Sequence, residues 1–446
     1  MKTTSFEFAK IVNGKTFGKN TLVTSYVIDS TKAGKGCAFF AIKGNRTDGH
    51  KYIDSAIENG AVMVVIDSDH INLARDVDGV CFVTVKDTLK ALQTFAQYVR
   101  VKSKAKIITI TGSCGKTTTK EMVAAILAQK GKTVKTPGNY NSEYGLPLSL
   151  LMLEEDTEYG VFEIGTDRRG MMANSTTLSG GEVSAITNIG ISHLASYHSR
   201  EELAEEKSDI FLPYTKGFVL SDIDYLDVIK RKCNDLTVVD NVIEDYLDRG
   251  FYGYKIKVNG RWGSLPLLGF HNLKNASLAI ALTSSLGATA DEVLKGLSTL
   301  KPIFGRSRVF EENAVTIIED CYNATSDSML SALSTLSHLN WIKGRKIALL
   351  GDMVELGFLS EEAHRKIGHC LSETDCDVVF LYGEQMRITY DELKRLGTTK
   401  TVYYTNNFSV LFKLVQNQLK DGDLLLLKGS RAMSLEKIYP ALRKIS

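Results

Sequence analysis

The run Thr111-Gly112-Ser113-Cys114-Gly115-Lys116-Thr117-Thr118 carries the clearest chemistry in the chain. A glycine-rich turn between a strand and a helix aims backbone N–H groups and a helix N-terminus at an anion, and a lysine adds charge. Gly115 lets the backbone approach phosphates closely, Lys116 can reach β- and γ-phosphate oxygens, and the Thr117 hydroxyl can ligate Mg²⁺. The longer form of the motif places a glycine where this chain has Ile110, so the match is to the shorter T-G-x-x-G-K-T form. No guanine-reading N-K-x-D motif occurs, and ATP is the expected nucleotide.

Further polar residues lie where a sheet would bring them to such a loop. Glu163 ends an apolar run over 159–164. On its own it reads as a capped or solvated strand end; beside the loop it is a carboxylate able to share Mg²⁺ with Thr117. His193 follows Ile186-Thr187-Asn188 by a short loop and on its own reads as an ordinary loop histidine. Lys207 lies in the acidic amphipathic stretch 201–211, where by itself it reads as a solvated lysine pairing with Glu at helical spacing.

The elements that must position these residues fall into three segments. The first contains buried-strand runs at 36–42 and 61–66, with helical spacing of Tyr52, Ile53, Ala56 and Ile57 between them and a long helix from 88 to about 101. The second opens with the strand 106–111 and a helix 117–130 ended by Gly131, followed by strands at 159–164, 183–188 and 218–221. A helix over 272–286 and an exit linker over 300–308 close it. The third repeats the alternation, with strands at 315–319, 346–350, 378–382 and 423–428. Strands alternating with helices predict parallel sheets covered on both faces. The expected architecture is α/β in three domains: a small N-terminal domain over 1–102, a P-loop domain over 103–307 and a Rossmann-like domain over 308–446.

Composition bounds the function class. The 446 residues are 43% hydrophobic and 24% charged, a soluble globular balance spread over more than one core. A net charge of +2 excludes nucleic-acid or anionic-membrane binding by bulk electrostatics. No apolar run is long enough to span a bilayer, and the N-terminus lacks a signal-peptide pattern. Seven scattered cysteines fit reduced thiols, and the chain is expected to be a cytoplasmic monomer. His364, His369, Cys370 and Cys376 read as ordinary helix and loop residues rather than a metal set.

Taken together, the ordered motifs resemble the ATP-dependent Mur ligase family over almost the whole length. They are Phe39-Phe40-Ala41-Ile42-Lys43-Gly44 with Asp48-Gly49-His50; Gly112 to Thr117; Gly138-Asn139-Tyr140-Asn141 with Gly145-Leu146-Pro147; and Glu163-Ile164-Gly165. They continue through Asn188, His193-Leu194, Lys207 with Asp209-Ile210-Phe211, and Gly269-Phe270-His271-Asn272 with Asn275. The last are Gly305-Arg306, Asp320 with Tyr322-Asn323-Ala324, Gly351-Asp352-Met353 with Glu355-Leu356-Gly357, and Lys428-Gly429-Ser430-Arg431.

The resemblance is strongest to the branch that adds D-alanyl-D-alanine to a UDP-MurNAc-tripeptide in peptidoglycan precursor synthesis, and it implies that reaction through an acyl phosphate. It implies that Thr117 and Glu163 hold one Mg²⁺, and that His193 and a carbamylated Lys207 hold a second. It implies Asn272 at adenine, Asp320 at ribose and Arg306 at the γ-phosphate, with Ser113, Cys114 and Thr118 completing the ATP loop. Ser30, Lys43, Asn139, Asn141, Arg168, Tyr322 and Asn323 are the implied substrate contacts. A Mur-like ligase with another acceptor or amine, and a non-catalytic nucleotide-binding homologue, are the alternatives. The chain departs from the family pattern in four places: Thr31 at an arginine position, the loop Asp167-Arg168-Arg169, Ala195 at a glutamate position, and Thr325-Ser326 near the dipeptide site.

Overall fold

The computed structural model describes residues 2–44, 47–192 and 194–442. Three sheets organise the chain. The N-terminal sheet has five strands in the order Lys15–Phe17, Cys81–Val85, Ala61–Asp67, Cys37–Phe40, Ser25–Val27. Its strands are parallel except at the Lys15–Phe17 edge. The helix Thr88–Lys102 packs against it through Ala91, Leu92, Phe95, Ala96 and Val99, at the spacing of one helical face.

The central sheet is all parallel, in the order Asp235–Val239, Lys216–Leu220, Val183–Ile186, Lys106–Thr111, Tyr159–Glu163, Thr133–Lys135. Lys106–Thr111 therefore lies between the strands ending at Glu163 and Ile186, and their carboxyl ends share one edge. In an open parallel sheet that edge, beside the first strand and its helix, is where ligands bind. A three-stranded antiparallel piece, Asp245–Asp248, Tyr254–Val258 and Arg261–Leu265, extends this domain.

The third sheet runs Arg308–Glu312, Val315–Asp320, Leu424–Lys428, Lys346–Gly351, Val378–Tyr382, Thr401–Thr405, parallel except at the Arg308–Glu312 edge. Its inner strands are buried along their length, as near-continuous apolar runs such as Leu424-Leu425-Leu426-Leu427 require. All seven cysteines are free, and no helix among the described residues is long and apolar enough to cross a membrane.

Candidate active site

Gly112 and Gly115 make the loop between the strand Lys106–Thr111 and the helix Lys116–Leu127. Both have positive φ, 143° and 79°. A Cβ on Gly112 would fall 2.0 Å from Thr187 Oγ1, and one on Gly115 would meet Asn275 Oδ1 at 2.6 Å. Backbone conformation and space both demand glycine.

The loop is held from the neighbouring strand end. Asn188 Oδ1 accepts from the backbone N–H groups of Ser113 (3.0 Å) and Cys114 (2.8 Å), Thr187 Oγ1 donates to the Cys114 carbonyl, and Ser113 Oγ accepts from Gly190 N–H at 2.8 Å. Lys116 folds back over the loop, its Nζ donating to the carbonyls of Gly112 (2.7 Å) and Ser113 (3.1 Å). Burial pushes its pKa down, and the nearby Arg306 adds to that effect against the pull of Glu163.

Glu163 is buried at the end of its strand. Its Oε2 accepts from Thr117 Oγ1 at 2.8 Å and its Oε1 from Asn141 Nδ2 at 2.6 Å, so the loop hydroxyl, the carboxylate and the 138–141 turn form one chain of contacts. Lys120, with no exposed surface, braces that turn by donating to the carbonyls of Thr136 (2.8 Å) and Gly138 (3.3 Å).

Lys207 is not a solvated lysine, which is a correction to the reading its acidic surroundings alone suggest. Only 1% exposed, it comes off the helix Arg200–Ser208 toward the loop, its Nζ 3.4 Å from the Gly112 carbonyl oxygen. Burial, with the Lys116 charge adding to it, brings its pKa down to about 7. The acidic residues that looked like its partners are engaged elsewhere. Glu206 accepts from Gly170 N–H, Met172 N–H and Thr166 Oγ1, fixing the start of the helix Met171–Ser179. Glu202 accepts from Arg169 at 3.0 Å.

The exit linker and the third domain complete the pocket. Arg306 donates through Nη2 to Thr117 Oγ1 at 3.3 Å and lies over the Tyr322 ring, 4.5 Å from its centroid. Arg306, Tyr322, Asn139 and Phe304 border a cavity of about 690 Å³. Glu319, fully buried, accepts from Gly305 N–H at 2.8 Å and pairs with both edges of Arg308, at 2.8 and 2.9 Å. Cys114 Sγ approaches Thr325 Oγ1 to 3.1 Å, so one departing position sits directly on the loop. Asp320 accepts from Ser307 N–H and pairs with Lys428 at 2.9 Å, while Lys428 also donates to the Asn323 carbonyl.

Asn272 is buried, donating to the Leu268 carbonyl and accepting from Asn275. Beside it, His271 Nδ1 is buried without a hydrogen-bond partner, an orphan next to Asp320 that a bound polar ligand would satisfy.

Other expected residues stand apart. Ser30 is buried and its carbonyl accepts from Asn59; Lys43 is exposed; and Arg168 pairs with Glu143 at 2.6 Å with more than half its side chain exposed. Thr118 is partly buried on the first turn of the loop helix. His193 lies outside the described residues. Sequence reasoning left Thr187, Lys120, Glu206 and His271 without a role. The signal for Thr187 was topological, since a strand end beside the loop strand must face the loop.

Family models match in three consecutive blocks: "Mur ligase family, catalytic domain" over residues 22–100, "Mur ligase middle domain" over 110–283 and "Mur ligase, glutamate ligase domain" over 305–431. The chain belongs to the Mur ligase family. This Mur ligase is 35% identical over 91% of both chains to the UDP-N-acetylmuramoyl-tripeptide–D-alanyl-D-alanine ligase of Treponema pallidum. It is 33% identical to the protein of that name in Bacillus subtilis, over 98% of both chains. Its fold matches MurF from Acinetobacter baumannii with a TM-score of 0.85 at 27% identity, covering 100% of this chain and 99% of the other. It matches MurF from Thermotoga maritima in complex with ADP with a TM-score of 0.77 at 27% identity, over 95% and 97%.

Proposed function

We propose that this Mur ligase couples ATP cleavage to ADP with joining of D-alanyl-D-alanine to a UDP-MurNAc-tripeptide. One observation carries the reading: relatives named for that reaction align over 91% or more of both chains, and the loop, Glu163 and Arg306 meet around Thr117 as such a reaction needs.

The chemistry follows from charge. An acceptor carboxylate oxygen attacks the γ-phosphorus, the bond from that phosphorus to the ADP oxygen breaks, and an acyl phosphate forms. The incoming amine then adds to the carbonyl, loses a proton, and phosphate leaves with the C–O bonding pair. Both steps bring anions together, so positive groups must be in place beforehand. Lys116 and Arg306 are those groups, one from each side of the nucleotide cleft. The loop N–H groups now held by Asn188 can turn to phosphate oxygens.

Thr117, Glu163, His193 and a carbamylated Lys207 would hold two Mg²⁺ ions, which when bound neutralise the phosphate charge that repels the acceptor. The described donors suit a hard cation: a hydroxyl and a carboxylate already in contact. Lys207 supports its own modification, because an amine with pKa about 7 carries a substantial free-base fraction near neutral pH, unlike an ordinary lysine. Addition of its nitrogen to CO₂ releases a proton and leaves a carbamate, an anion facing Lys116.

In this reading the domain over 1–102 takes the UDP end through Ser30 and Lys43, and the domain over 103–307 binds ATP with Asn272 at adenine, while Asp320 of the third domain meets the ribose. The domain over 308–446 brings the dipeptide, near Tyr322 and Asn323. Asn139, Asn141 and Arg168 face the acceptor peptide.

The test is phosphate release from ATP with UDP-MurNAc-tripeptide, with and without D-alanyl-D-alanine, followed by mass detection of product. Release tied to UDP-MurNAc-pentapeptide is expected. A folded, ATP-binding protein that yields no such product with these substrates overturns the assignment. Lys207→Arg separates carbamate from charge: arginine keeps the cation but forms no carbamate, and activity is expected to be lost.

A further inference from the structure

Among the described residues, Asp48, His50 and His70 are the group of side chains whose donor atoms converge closely enough to hold a metal ion, and they lie in the N-terminal domain, outside the nucleotide cleft. His50 follows Asp48, which pairs with Lys43 as an isolated bridge, and its N–H donates to Asp48 Oδ1 at 3.0 Å. His70 comes from the short helical segment Ser68–Leu73, directly after the strand Ala61–Asp67. The two rings stack with centroids 3.8 Å apart and planes 14° from parallel.

Two carboxylates bracket the stack. On one edge Asp48 Oδ1 is 2.7 Å from His50 Nδ1, and Oδ2 is 3.8 Å from His70 Nε2. On the other, Asp67 Oδ1 is 2.7 Å from His70 Nδ1, and Oδ2 is 3.6 Å from His50 Nε2. The short contacts put each ring's proton on Nδ1, and His50 Nε2 accepts from Asp67 N–H at 3.3 Å. His70 Nε2 faces the Asp48 carboxylate at a distance too long for a hydrogen bond. No lysine or arginine among the described residues pairs with either carboxylate. Two carboxylates and two imidazoles thus converge, with the donor atoms of Asp48, His50 and His70 facing one another.

We propose that Asp48, His50 and His70 form a site for a divalent transition-metal ion of the zinc class, with Asp67 orienting both imidazoles. Binding takes the Asp48 carboxylate, His50 Nδ1 and His70 Nε2 as ligands. His50 moves its proton to Nε2 and donates to Asp67 Oδ2, so that Asp67 receives the outer N–H of both rings. A carboxylate behind each ligating histidine is the arrangement that fixes the tautomer and raises ligand basicity. Two imidazoles with one carboxylate select Zn²⁺, Co²⁺ or Ni²⁺ over Mg²⁺. Near-parallel rings cannot aim both lone pairs at one point, so binding swings His70. Its side chain is 32% exposed, which gives it room and gives the ion its entry path. The bound ion ties Asp48 and His50 to the 68–73 segment.

The experiment is a Co²⁺ titration of the full chain in excess Mg²⁺, read by visible absorption and equilibrium dialysis, with Zn²⁺ competition and melting curves alongside. One tightly held equivalent of Co²⁺, displaced by Zn²⁺, is expected for the wild type. His70→Ala and Asp48→Asn should lose it, and Asp67→Asn should weaken it about 10- to 100-fold. His70→Ala keeps the test decisive if the more buried positions do not tolerate change. Retention of the same equivalent by His70→Ala places the metal elsewhere and overturns the proposal. Failure of the wild type to retain Co²⁺ also overturns it and leaves the cluster a hydrogen-bonded quartet.

Discussion

In the central domain Thr117, Glu163 and Lys207 are all buried, and each already touches a fixed protein group. In the N-terminal domain the lysines proposed to face the acceptor are exposed. Lys43 stands in solvent, and Lys32, beside the departing Thr31, reaches across to the Tyr140 hydroxyl at 2.6 Å. The contrast tracks the demands on each region. Charge developing in a reaction is stabilised best by groups that need not reorganise, which requires burial and satisfied contacts. Recognition of a large, flexible substrate tolerates exposed contacts, each worth little because water and salt screen it.

Substitutions can break that contrast, starting where the effect should be greatest. Glu163→Gln or Lys116→Met should lower turnover on the order of 10²–10³-fold or more while the melting temperature stays near that of the wild type. A mutant of either kind that turns over normally would mean the buried cluster is structural. Arg306→Ala should cost roughly 10²-fold in kcat, with a smaller change in the KM for ATP; a pure KM effect would make it a binding residue only.

Glu206→Ala leaves the buried Met172 N–H unmatched and removes the acceptor of Gly170 N–H and Thr166 Oγ1. It should destabilise the central domain by about 1–3 kcal/mol, measured by urea unfolding, and Glu206→Gln should recover part of the loss. Lys32→Ala should raise the KM for the nucleotide-sugar acceptor by less than about tenfold and leave kcat alone. Arg168→Ala, on an exposed ion pair, should change stability by no more than about 0.5 kcal/mol. A large loss for Lys32→Ala would erase the distinction between the regions.

The same contrast marks what could be read from the sequence. Buried parallel strands announce themselves as apolar runs: 106–111 and 378–382 coincide with Lys106–Thr111 and Val378–Tyr382, and most other expected strands shift by one or two residues. Edge strands carry no such run. Thr133–Lys135, Thr401–Thr405 and the antiparallel hairpins over 245–265 went unforeseen because half their residues face water. The phosphate loop was legible because glycine spacing encodes its backbone. Lys207 stood out only through the family motif and Glu206 not at all, for adjacent residues on one short helix point to different neighbours, and only the tertiary fold decides that one meets the loop and the other a helix end. The Asp48–His50 pair was visible as a motif, but His70 joins it through a strand and a turn that no spacing rule links to it.

The grip of Glu319 on Gly305 N–H and Arg308 has a mechanical outcome. Both flanks of Arg306 are fastened to the third sheet, so the arginine has no reach of its own. Any pivot about the preceding segment carries its guanidinium as the tip of a lever whose long arm is an entire domain. The gap between Arg306 and Thr117 is therefore a one-coordinate gauge of domain position, and a spectroscopic pair placed across it would read out each opening of the cleft as a change in a single length.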